Sequence, residues 1–187
     1  MKITIFTHPN PRMDILESII KNIKDNSKVS VEIEVTWKKI RDCENIEGIK
    51  VYALTDPFHT IDSCLNEYDL KATNKSYRHN IIKDKLGYIL NEYSDIESSV
   101  LSYLLWVEIS KKSGIECVFK VENPDNLYSY LKEKKILEKN IKFHQKTYAR
   151  FKVKNINIYK NMSLGTLSLL VKYCKFYDYY NYLKDLK

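Results

Sequence analysis

Glycine and proline are scarce, with four of each in 187 residues. No stretch therefore reads as a flexible linker or a Pro-rich spacer. Glycine is also missing where a phosphate would need it. No G-x-G-x-x-G follows a strand and no G-x-x-x-x-G-K-[ST] occurs, which argues against dinucleotide or ATP binding by those two routes. The four cysteines, Cys43, Cys64, Cys117 and Cys174, lie far apart, with no C-x-x-C pair and no histidine at zinc-finger spacing. A structural zinc site is not expected, and the thiols read as small core side chains. The longest apolar stretch, "SSVLSYLLWVEI", is too short and too interrupted for the roughly 20 residues a membrane span requires. The N-terminus holds one lysine and then a strand-like run, so no signal peptide is visible. Thiols without an export signal predict a cytoplasmic protein. There is no internal repeat, and spacing alone supports no Ser/His/Asp or Cys/His arrangement.

What is present is ordinary for a globular chain: 44% hydrophobic and 29% charged residues, enough for one domain with a real core. The expectation is a single domain over 1–187, with a sheet-and-helix core over 1–121 and a C-terminal helix, hairpin and aromatic-rich helix over 122–187. The net charge of +7 and pI near 9.0 permit attraction to nucleic acid or another polyanion. Much of the excess is lysine among Asn, Ile and Tyr, a mixture that an AT-rich genome also produces.

The fold class follows from the hydrophobic periods. "ITIFT" (3–7) reads as a strand, and Ile15, Leu16, Ile19, Ile20 and Ile23 give the next segment one apolar helical face. Asn10 as N-cap and Pro11 at the first helical position mark that helix's start. "VSVEIEVTW" (29–37) alternates, with glutamates on its second face, and predicts an edge strand or one with a wet face. "IKVYALTD" (49–56) is apolar throughout, as a central strand should be. A stripe from Tyr77 through Ile81, Ile82, Leu86, Ile89 and Leu90 to Tyr93 predicts a helix. A second helix runs through Val100–Trp106 and should end at Gly114. "IECVFKV" (115–121) is a fourth strand, and Asn123 and Pro124 start another helix. The alternation in "YARFKVKNINIYK" predicts a hairpin with its turn near Asn155, before an apolar terminal helix. Together these predict an open, mostly parallel α/β sheet flanked by helices.

In such sheets ligands bind outside the carboxyl ends of the strands, near a switch in strand order. The first strand delivers Thr7, His8, Asn10 and Arg12 to that edge. The third brings Asp56, His59 and Asp62 if the two strands are neighbours. A carboxylate and two imidazoles there suit a divalent metal or acid–base work, with Asp56 and His59 as the catalytic pair. The plainer reading is that Asp56 and His59 shape the turn before Pro57 and cap the next helix.

The stretch "ITIFTHPNPRMDILESIIKNI" resembles the opening of family-2-like glycosyltransferases of the GT-A fold, with strand, polar elbow, Asn and helix in that order. "NKSYRHNIIKDKLGYILNEYSDIE" is similar to the later stretch where those enzymes carry a helix and an acidic metal motif. The resemblance covers roughly the first hundred residues. It implies a nucleotide-sugar-dependent transferase, or a degenerate relative, with a divalent metal (Mn or Mg). Thr7, Asn10 and Asp56 would then lie near the nucleotide and Asp95 near the metal. The chain departs from the family at the D-x-D motif, where "YSD" puts Tyr93 in the first acidic position. Its second strand also ends in "TW" rather than an acidic pair.

A second surface is basic. Arg150, Lys152 and Lys154 share one strand face, with Tyr148 beside them. Cations interleaved with aromatics can track a phosphate backbone and stack bases; the alternative is a solvated face opposite Phe151 and Val153. Six aromatics between Tyr173 and Tyr182 make the terminal helix either a docked element of its own domain or a surface for a protein partner or self-association. These features support the rival expectation, a non-enzymatic nucleic-acid-associated or complex-forming protein, for example in phage defence or counter-defence. "NMSLGTLSLL" resembles a short segment of abortive-infection HEPN-type proteins, but no R-x(4–6)-H motif accompanies it.

Overall fold

The computed structural model describes residues 1–8, 12–55, 57–65, 72–139 and 141. The expected C-terminal hairpin and terminal helix lie outside them. The chain divides into two compact units, Met1–Asp56 with Ser110–Arg150, and Pro57–Ile109 with Phe151–Lys187.

The first unit is built on four strands, β1 (Lys2–Thr7), β2 (Glu32–Thr36), β3 (Ile49–Leu54) and β4 (Cys117–Lys120), in the order β2-β1-β3-β4. All three pairings are parallel, with Ile3 opposite both Ile33 and Ile49, and Val51 opposite Cys117. A parallel sheet hides both faces, and residues 3–7 of β1 are all buried. On one face Ile3, Ile5, Val51, Ala53 and Phe119 pack with α1 (Met13–Asn26) and α5 (Asp125–Glu133). The other face buries Thr4, Phe6, His8, Tyr52 and Leu54, and burial pushes the Tyr52 phenol above its ordinary pKa.

Helix α1 buries Ile15, Leu16, Ile19 and Ile23, as its period requires. Arg12 is the N-cap and Met13 the first helical residue; Asn10 and Pro11, expected to start the helix, lie outside the described residues. Arg12 reaches forward to Asp14, whose carboxylate in the first turn complements the helix dipole. At the other end the Asn26 and Ser27 side chains donate back to the carbonyls of Asn22 and Ile23, at 2.8 and 2.6 Å.

The second strand is an edge strand and is shorter than its alternation suggested. Val29 is 47% exposed, and pairing begins at Glu32. Glu34 sits between Lys2, at 3.4 Å, and Lys39, placing charge along an edge that would otherwise invite pairing with another chain. At the start of α5, Asn123 Oδ1 accepts the Asp125 N–H at 3.3 Å, with Pro124 at the N-cap position. The N-cap is thus Pro124 rather than the expected Asn123, and the helix begins one residue later than expected.

The second unit holds α2 (Pro57–Leu65), α3 (Ala72–Leu86) and α4 (Asp95–Lys112). Its core includes Ile61, Ile81, Ile82, Val100, Leu104 and Trp106. The long stripe expected to end at Tyr93 is not one helix. Gly87 takes φ +79 and its N–H closes α3 onto the Lys83 carbonyl at 2.8 Å. Tyr88, Ile89 and Tyr93 lie beyond it, each 45 to 48% exposed, whereas Leu90 is buried. The inward face of α3 also carries Arg78 and His79, both buried, rather than Tyr77. Arg78 Nε donates to Ser102 Oγ on α4 at 2.5 Å, and His79 Nδ1 meets Asn91 Oδ1 at 2.9 Å. Because an amide oxygen only accepts, that contact puts the imidazole proton on Nδ1.

Candidate functional site

The chain leaves β1 for β2 on one side, then returns past β1 to form β3 on the other. The connections therefore diverge where β1 and β3 end, at the position where doubly wound sheets open a crevice for ligands. The expected adjacency of these two carboxyl ends is found, with Thr7 opposite Ala53.

Three polar residues gather at that edge, Thr7, His8 and Thr55, each 1% exposed. Alternation puts Thr7 and Thr55 on the α1 face with Ile5 and Ala53, and His8 on the opposite face with Phe6. Beside them, the Val121 N–H extends the β4 ladder by donating to the Leu54 carbonyl at 2.9 Å. This delivers Glu122 to the same edge, partly buried and with its Oε2 shielded from solvent. Arg12 supplies positive charge at the start of α1. Its Nε and Nη2 donate to the two Asp14 carboxylate oxygens at 3.1 and 2.9 Å. That fork, chiefly its hydrogen bonds, holds the Asp14 carboxyl below its ordinary range.

Of the residues anticipated for a nucleotide, Thr7, His8 and Arg12 thus belong to one edge of the first unit. Asn10 and Asp56 lie outside the described residues. His59 and Asp62 are in α2, in the second unit. Arg150, Lys152 and Lys154 lie outside the described residues. Thr55 and Glu122 were not anticipated; no motif marks them, and only the register across β3 and β4 brings them to the edge.

Asp95 has a local structural role. It is the first residue of α4, 3.7 Å from the Lys75 ammonium. The segment "SDIE" around it has the sequence of a capping box, with the Glu97 carboxylate meeting the Ser94 hydroxyl rather than its backbone N–H. Ser94 Oγ accepts the Glu97 N–H at 3.4 Å and donates to the Glu97 carboxylate at 2.9 Å. A Ser three residues before a Glu was the sequence signal for this. Among the described residues no three His, Cys, Asp or Glu side chains are grouped to hold a metal ion, and no helix is long and apolar enough to cross a membrane.

The cysteines fit a packing role. Cys43 and Cys64 are buried, and Cys43 Sγ donates to the Ser113 carbonyl at 3.1 Å. Burial, with Glu133 adding to it, pushes the Cys117 thiol up to about 11, far from the range of an activated nucleophile. Cys174 lies outside the described residues.

No family model matches the chain, and no curated protein or solved structure matches it significantly.

Proposed function

We propose that the protein binds a nucleotide at the carboxyl ends of β1 and β3, and that a nucleotide-sugar-dependent transferase, or a degenerate relative of one, is the activity to test first. The observation that carries this reading is the switch in strand order, with Thr7, His8 and Thr55 buried at its edge. Hydroxyls and an imidazole suit a nucleotide's hydrogen-bonding groups, and Arg12 is the cation for a phosphate that would displace Asp14 from its fork. Asn10 completes the proposed binding set. Asp56, next in sequence after Thr55, is the proposed acid–base residue.

Thermal-shift measurements with UDP-, GDP- and CMP-sugars, with and without Mn²⁺, test it. A nucleotide at a hundred times its dissociation constant stabilises the folded state by about 2.7 kcal/mol. Thr7→Val keeps the side chain's shape and should reduce the shift. The absence of any shift with all three donors refutes the proposal.

A second reading, polyanion binding, is favoured by the distribution of charge. Residues 142–187 hold ten Lys or Arg against two Asp and no Glu, whereas residues 1–141 hold 21 against 22. The whole basic excess therefore belongs to the last quarter of the chain. Replacing Arg150, Lys152 and Lys154 together by Gln tests it. Each phosphate that the variant no longer neutralises should lower the slope of log affinity against log salt by about 0.9 on duplex DNA. An unchanged slope removes these three residues from any polyanion interface.

A further inference from the structure

We draw no further inference here: the strongest candidate, the exposed side chains of Tyr88, Ile89 and Tyr93 in the segment that follows α3, carries nothing because nothing in the structure shows what covers it.

Discussion

Ser94→Ala removes the N-cap of α4 and decides how "YSDIE" is to be understood. Two hydrogen bonds go with the hydroxyl, one from the Glu97 N–H at 3.4 Å and one to the Glu97 carboxylate at 2.9 Å. Loss of a serine N-cap typically costs about 1 kcal/mol, within a range of about 0.5–2. The first bond is long, and Ser94 is exposed, so water can take over part of its role. The expected cost is therefore in the lower part of that range, about 0.5–1 kcal/mol. For a chain of this length that lowers Tm by about 1–4 °C. Thermal and urea unfolding, followed by circular dichroism, measure it, and the urea m-value should stay constant. Ser94→Asn should restore most of the stability, because Asn caps as well as Ser. Glu97→Ala should cost less in the Ser94→Ala background than alone, since the side chains bond each other. If Ser94→Ala is as stable as the wild type, or the two substitutions add, the capping argument is wrong.

Two further outcomes follow from single groups. Glu116 accepts from the Tyr130 hydroxyl at 2.7 Å, lies 3.3 Å from Lys134, and has a lowered pKa owed first to that hydroxyl. A lowered folded-state pKa contributes stability above the unfolded value and loses it as pH falls through the folded one. Acid titration of stability should therefore be shallower in Glu116→Gln, and equal slopes below the ordinary carboxylate range refute the assignment. Thr4 is fully buried, and its Oγ1 has no hydrogen-bond partner among the described residues. Thr4→Val should stabilise by about 1 kcal/mol in urea unfolding, and a loss of stability means that the hydroxyl has a partner.

The strands and amphipathic helices of the first unit were legible because each rests on a local period. β1, α1, β3 and α5 all lie within a residue or two of where alternation and capping residues put them. What escaped depends on contacts between elements. Glu122 and Thr55 reach the candidate edge only through the β3–β4 register. On α3, apolarity favoured Tyr77 as an inward residue, but Arg78 and His79 are buried instead, each satisfied partly by a side chain from another element. In "YSDIE" two patterns overlap. The acidic position of a metal motif coincides there with a Ser and a Glu three residues apart that bond each other at the start of α4.

Inserting the Pro57–Ile109 part of the second unit between β3 and β4 bears on the order in which the sheet is assembled. The first partners of β1 and β2, Lys2 and Glu32, are 30 residues apart, whereas Val51 and Cys117 are 66 apart. Closing the longer loop costs only about 0.7 kcal/mol more by the logarithmic law for flexible chains. The equilibrium therefore tolerates the insertion easily. Kinetically the separation matters more, because distant pairings form slowly. As the chain emerges from the ribosome, β1, β2 and β3 can pair while β4 is still unmade. Until then the nascent sheet exposes the β3 edge, and the candidate ligand edge acquires Glu122 only when β4 docks.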